Sequence, residues 1–261
     1  MILNLSGKNA LVGGSSKGIG KATAFELAEL GANVTLFARS GHIMSEIIHH
    51  LDRSKGQKHD FLVVDYENIQ ELRQKLIGLL SQKHIHILIN NTGGPPAGPL
   101  LKADPQAFLS AFQNHLICNQ IITSLVVKGM ISDGYGRIIN VISTSVKQPL
   151  DGLGVSNTIR GAVANWAKTL ANELGSYGIT VNNVLPGATS TDRLDEIIQT
   201  KAGKTGESID EVSDMMKKPI PLGRFGTPSE IAAAIAFLAS PAASYINGVN
   251  LPVDGGRTKS L

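Results

Sequence analysis

The chain has a single cysteine, Cys118. One thiol excludes an internal disulfide, so nothing here demands an oxidising compartment, and Cys118 reads as a small apolar core residue rather than a nucleophile. Aromatic residues make up 5%, too few for the stacking platforms that hold single-stranded nucleic acid. Excess charge is equally scarce. Against 21 acidic residues stand 24 basic ones, and the resulting +3 gives no electrostatic case for nucleic acid or a membrane surface. No apolar run approaches the roughly 18 residues of a membrane span. The opening "MILNLSGKNALVGG" lacks the basic region and long apolar stretch of a signal peptide. The expectation from these absences is a soluble cytoplasmic protein with no nucleic-acid or membrane partner.

What is abundant points to a folded α/β chain. An apolar fraction of 42% with 28 glycines fits a turn-rich globular protein, and 261 residues can bury a large core. Short β-branched runs read as strands: "NALVGG", "NVTLFAR", "HDFLVVD", "IHILINN", "GRIINVIS", "ITVNNVLPG" and "GVNLPVDGG". Between them, "GIGKATAFELAELG", "NIQELRQKLIGLLSQ", "PQAFLSAFQNHLICNQIITSLVVKGM", "TIRGAVANWAKTLANELGSYG" and "PSEIAAAIAFLASPAA" place apolar residues at helical steps. Such alternation predicts a parallel sheet covered by helices on both faces. No composition break, repeat or linker divides residues 1–261, so one domain is expected.

In an open parallel sheet, ligands bind beyond the carboxyl ends of the strands. After the first strand comes "GGSSKGIGKA", where Gly14, Gly18 and Gly20 let the backbone turn tightly and approach a phosphate at the start of the next helix. The spacing G-x-x-x-G-x-G is weak alone; strand before and helix after make it specific. The second strand ends in Arg39 and Ser40. An acidic residue there would favour NAD(H), whereas an arginine can pair with a 2'-phosphate, and Lys17 adds a second cation, so NADP(H) is favoured. Asp65, after the third strand, is an adenine contact, a helix cap or a surface carboxylate. Farther on, "GVSNTIRGAVANW" places Ser156 and Arg160 one turn apart on one face of a helix.

"NLSGKNALVGGSSKGIGKATAFELAELGANV", "ILINNTGG", "GRIINVIS", "GITVNNVLPGATST" and "PLGRFGTPSEIAAAIAFLASPAASYINGVNLPVDGG" together resemble the short-chain dehydrogenase/reductase family, most closely its 3-oxoacyl-(acyl-carrier-protein) reductase group. The resemblance runs nearly end to end. It implies a Rossmann-type doubly wound fold with seven parallel strands, a homo-oligomer (tetramer or dimer), and a carbonyl or acyl-thioester substrate such as fatty acid biosynthesis uses. It further implies that Gly14, Ser16, Lys17, Gly18, Ile19 and Gly20 form the phosphate loop, with Gly13 in place of a usual threonine. Asn91 and Gly93 would support the adenosine ribose, and Thr92 replaces an alanine. Pro186, Gly187, Thr189 and Thr191 would fix the nicotinamide and pyrophosphate.

The family's catalytic set is Asn, Ser, and Tyr with Lys in a Y-x-x-x-K pattern. Asn114 and Ser143 match the first two; Ser156 stands at the tyrosine position and Arg160 at the lysine. A serine hydroxyl is a far weaker acid than a phenol, and arginine does not release a proton. The remaining candidates are poor substitutes. Tyr135 and Tyr177 precede strands and belong at the amino edge, while His115 points about 100° from Asn114 on an α-helix and reads as structural or surface. Asp151 reads as a solvated loop carboxylate. A water held by Asn114, Ser143 and Ser156 is another donor, with Arg160 stabilising an alkoxide.

Residues 192–222 lie where the family carries a substrate lid. Met215 and Met216 there either line a pocket or pack helices, and Lys217 and Lys218 read as a solvated face. "GGPPAGPL" is expected to shape entry, and Trp166 to lie in the core or at a subunit interface. His42, His49 and His50 lack metal-ligand spacing, so no metal site is expected. Three functions stay open: an NADP(H)-dependent oxidoreductase with an atypical proton donor, a catalytically silent NADP(H)-binding or sensing protein, and a non-redox enzyme on the same fold.

Overall fold

The structure is a computed structural model and describes residues 1–260. Seven strands form in it: β1 (Asn9–Gly13), β2 (Asn33–Ala38), β3 (Asp60–Val63), β4 (Ile87–Asn90), β5 (Gly136–Val141), β6 (Ile179–Pro186) and β7 (Asn250–Val253). All pair in parallel, in the order β3-β2-β1-β4-β5-β6-β7. The helices are α1 (Gly18–Glu29), α2 (Gly41–His50), α3 (Ile69–Leu80), α4 (Pro105–Phe112), α5 (Cys118–Ser132), α6 (Gly154–Leu174), α7 (Asp192–Thr205), α8 (Ile209–Lys217) and α9 (Pro228–Ala239). This is the expected Rossmann-type doubly wound sheet.

Successive strand residues point to opposite faces, so a strand buried on both sides must be apolar at nearly every position. Val12, Ile89 and Ile139 pack with Leu27, Met44 and Ile235 of α1, α2 and α9. Their neighbours Leu11, Leu88 and Ile138 pack with Leu76, Ile122 and Ala171 of α3, α5 and α6. Cys118 is fully buried in that second layer. Helix starts are set by side-chain caps, each of which typically contributes about 1 kcal/mol. Asp104 accepts from the Gln106 N–H ahead of Pro105, and Thr227 forms a capping box with Glu230.

Three departures from the sequence reading matter for the site. The apolar stretch from Pro105 onward is not one α-helix: residues Gln113–Ile117 form a π-turn, closed by the Cys118 N–H donating to the Gln113 carbonyl. Taken together, Pro105–Ser132 is long and apolar enough to cross a membrane by length and composition, contrary to the expectation that no run would be. In the fold its inner face packs on the sheet through Cys118, Ile121, Ile122, Val126 and Met130. Lastly, α2, α7 and α8 form where the sequence reading placed no helix.

A row of asparagines crosses the sheet. Asn90 Nδ2 donates to Asn140 Oδ1 at 2.8 Å, Asn140 to Asn183 at 2.9 Å, and Asn183 to Asn250 at 2.7 Å. These four stand opposite one another in the registers of β4, β5, β6 and β7. The first three are buried, where an unpaired amide would be costly, so each amide specifies its neighbour.

Candidate active site

The strand order reverses between β1 and β4, and the chain leaving those two strands opens a crevice at their carboxyl ends. The glycine loop lies there because side chains will not fit. Gly14 and Gly18 have φ of +58° and +54°. A Cβ on Gly14 would lie 2.7 Å from Asn91 Nδ2, one on Gly18 would lie 3.3 Å from the Thr191 methyl, and one on Gly20 would collide with the Gly14 carbonyl. Asn91 Nδ2 donates to the Gly13 carbonyl at 3.1 Å, joining this loop to the segment after β4. Ser15 is fully buried, its Oγ accepting from the Phe37 N–H at 2.8 Å, while Ser16, Gly18 and Ile19 are half-buried along the rim. A backbone cradle with free amides at the start of α1 fits a dinucleotide diphosphate.

The cations divide. Arg39 is exposed at the end of β2, with Ser40 next to it at the start of α2. Lys17 Nζ lies 3.2 Å from the Asp192 carboxylate, in a solvent-exposed pair. Such pairs are weak, so Lys17 keeps most of its freedom to turn. Asp65 is not the cap of α3, which is Asn68; its carboxylate accepts from the Glu67 N–H at 3.1 Å in a local turn. Tyr66 follows it and runs beneath the glycine loop: a Cβ on Gly13 would meet the Tyr66 hydroxyl at 3.1 Å. Burial pushes that phenol well above its ordinary range.

Four elements converge on Arg160. It is 8% exposed on α6, one turn beyond half-buried Ser156. Its Nη1 donates to the Val141 carbonyl at the end of β5, at 2.8 Å. Its Nη2 faces the loop after β4, within 3.9 Å of where a Cβ on Gly94 would stand. Burial lowers the guanidinium to about 10, so it keeps its charge at neutral pH. Two residues past Val141, Ser143 Oγ accepts from the Ser145 N–H at 3.1 Å, which leaves its own hydrogen to donate. The π-turn brings Asn114, whose Oδ1 is buried without a partner.

Of the structural and surface positions that the sequence reading allowed His115, the structure has the buried one. It is 2% exposed, and burial together with the charge of Arg160 drives its imidazole down to about 2. The 100° offset assumed an α-helix; in a π-turn the residue after Asn114 turns inward instead. Tyr135 and Tyr177 are at the amino edge as expected, with Tyr135 Oη donating to the Ala239 carbonyl. Asp151 is exposed in the turn before α6.

Beyond β6, half-buried Pro186 ends the strand and Gly187 N–H donates to the Val253 carbonyl at 3.0 Å. A Cβ on Gly187 would meet Asp254. Buried Thr189 donates to the Gly187 carbonyl and Thr191 to the Thr189 carbonyl, so the segment folds back toward the glycine loop. Next, α7 and α8 pack around Leu194, Ile198 and Val212, with Met215 and Met216 against them. Trp166 is half-buried and donates to Gln120. Gly93 is exposed, with nothing within 4 Å of an added Cβ.

The residues that sequence reasoning passed over are Tyr66, Gly94 and Arg193, plus the inward turn of His115. Only Tyr66 left a signal: a bulky aromatic after Asp65 facing a loop that has lost the side chain at Gly13.

Comparison with known proteins identifies the family. The sequence profile described as enoyl-(acyl carrier protein) reductase matches residues 14–258. The chain is 36% identical over 258 residues to the 3-oxoacyl-(acyl-carrier-protein) reductase FabG of Vibrio cholerae, covering 97% of this chain and 98% of that one. It is 30% identical to gluconate 5-dehydrogenase of Gluconobacter oxydans, covering 100% and 98%. The crystal structure of L-sorbose reductase from Gluconobacter frateurii, complexed with NADPH and L-sorbose, superposes with a TM-score of 0.92 at 28% identity, covering both chains fully. The chain therefore belongs to the short-chain dehydrogenase/reductase family of oxidoreductases.

Proposed function

We propose that the protein is an NADP(H)-dependent oxidoreductase of the 3-oxoacyl-(acyl-carrier-protein) reductase type, interconverting a carbonyl and a hydroxyl group with water in place of a tyrosine as proton donor. What supports this is Arg160 bonded to the end of β5, with Ser143 two residues beyond that end, an unpartnered Asn114 Oδ1 in the π-turn, and a glycine cradle after β1. Gly14, Ser16, Lys17, Gly18, Ile19 and Gly20 would hold the diphosphate. Arg39 and Ser40 would take the 2'-phosphate, with Asp65, Asn91 and Gly93 about the adenosine. Pro186, Gly187, Thr189 and Thr191 would position the nicotinamide end. Bound there, NADP(H) supplies or accepts the hydride. The NADPH complex of L-sorbose reductase supports the choice of cofactor.

The chain's own residues handle the charge and the proton. Ser143 donates to the substrate oxygen, with Ser156 and Arg160 beside it, and Arg160 holds negative charge on the substrate without giving up a proton. His115 stays neutral and offers no imidazolium. The orphaned Asn114 Oδ1 is a place for a water that the two serines also touch, and that water delivers the proton. Losing a positioned general acid costs about 10² to 10⁴ in rate, so a slow enzyme is expected rather than an inert one.

A second reading, a catalytically silent NADP(H)-binding protein, draws on the same Ser156 and Arg160. NADPH oxidation with an acetoacetyl thioester or another ketone decides between them. Turnover by the natural protein supports the reductase. Turnover only after Ser156→Tyr with Arg160→Lys, alongside NADPH binding by the natural protein, supports the silent one.

A further inference from the structure

Arg160 presents a charge problem that the protein does not solve by itself. Its side chain is almost wholly buried, yet among the described residues no carboxylate forms an ion pair with it. Of its five N–H donors, Nη1 is spent on the neutral carbonyl of Val141. The one titratable group coupled to it is His115, which is held uncharged. A buried cation is retained at a cost unless something supplies the opposite charge.

Nη2 of that cation lies toward the loop after β4. Gly93 and Gly94 have no side chains to cover it; a Cβ on Gly94 would come within 3.9 Å of Nη2, and one on Gly93 would meet nothing within 4 Å. On α6, Ser156 lies one turn away on the same face and ends at a hydroxyl, where a tyrosine would extend a ring over the guanidinium. The serine and the arginine thus change together to a consistent effect. The shorter side chain leaves room above the charge, and the forked guanidinium replaces a point charge with paired donors matched to a carboxylate.

We propose that Ser156 and Arg160 form a carboxylate-binding subsite, which narrows the carbonyl or hydroxyl substrate to a free oxo or hydroxy acid. The subsite rests on the oxidoreductase reading and names its substrate class. The carboxylate lies across the Arg160 fork with Ser156 Oγ donating to it, and Ser143 remains free for the oxygen that changes oxidation state.

The test is calorimetric titration of the NADPH-loaded protein with hydroxy acids of two to six carbons and with their methyl esters. Both partners are then reduced and no hydride moves. At least one acid should bind about tenfold or more tightly than its ester, a preference that Arg160→Gln abolishes and Arg160→Lys weakens. Ser156→Tyr, which covers the guanidinium, should abolish it as well. Circular dichroism and NADPH affinity of each variant show that the fold persists. The proposal is overturned if no acid outbinds its ester, or if the preference survives Arg160→Gln. Failure to bind NADPH would instead sink the oxidoreductase reading. The acids are then titrated against the protein alone, where the same dependence on Arg160 decides the subsite.

Discussion

Arg193 Nη2 donates to the Pro95 carbonyl at 2.8 Å, tying the first turn of α7 to the loop after β4. The two segments lie 98 residues apart in sequence and form opposite lips of the crevice. This charge-assisted contact joins the two segments, and Arg193 also pairs with Glu196 within α7 at 3.4 Å.

Arg193→Met is expected to loosen that lip without touching the glycine cradle. A half-exposed contact of this kind is worth about 1 kcal/mol, so proteolytic cleavage within residues 192–218 should quicken about fivefold. Substrate KM should rise by a similar factor while kcat changes little. Equal cleavage rates in both proteins would show that the lips are held elsewhere.

The glycine loop yields a sharper contrast. Gly20→Ala forces a Cβ against the Gly14 carbonyl and should cost about 1–3 kcal/mol of stability along with most NADPH affinity. Gly93→Ala meets nothing within 4 Å and should stay within about 0.5 kcal/mol of the natural protein. Thermal unfolding of the two variants side by side checks the pair.

Arg39→Asp should weaken NADPH binding about tenfold or more and leave NADH binding equal or improved, since the change replaces a 2'-phosphate partner with a ribose-hydroxyl acceptor. Lys17→Ala should lower NADPH affinity as well, since the exposed pair with Asp192 is weak and leaves Lys17 free to turn. Fluorescence titration with both cofactors measures the ratio; an unchanged ratio in Arg39→Asp would remove Arg39 from the 2'-phosphate site.

Acid should destabilise the fold through His115. Its folded value of about 2 lies below the ordinary value near 6.5. Above about pH 6.5 neither state is protonated there and the residue contributes nothing to the pH dependence. As pH falls below that, only the unfolded chain takes up the proton, and stability drops by about 1.4 kcal/mol per pH unit until pH 2. His59 and His86 are lowered too, by burial, and add to the slope. His115→Leu should remove close to one proton's share of it, as measured by urea unfolding between pH 4 and 7.

How much of this was legible in the sequence follows from the range of the interactions involved. The strands and the glycine loop are local: β-branched runs and small residues state their conformation within a few positions, and Arg39 inherits its place from the end of β2. The Ser156 and Arg160 pair was legible because a helix fixes residues four apart. His115 was not, since one π-turn rotates everything after Asn114 and nothing nearby announces it. The Arg193–Pro95 contact was hidden for another reason: only the closed tertiary fold brings its two ends together.

The asparagine row across β4, β5, β6 and β7 sets a common baseline for the crevice. Asn91 stands one residue above its rung, Ser143 and Pro186 each three above theirs, and Asp254 four above its own. Because each amide faces its neighbour at the same height, a slip of β5 or β6 by one residue would break two rungs at once and leave buried amides unpaired. The row thus works as a gauge. It measures out from the middle of the sheet how far each chain travels before it turns, and so carries the tolerance of the chemistry down into a part of the protein that no substrate reaches.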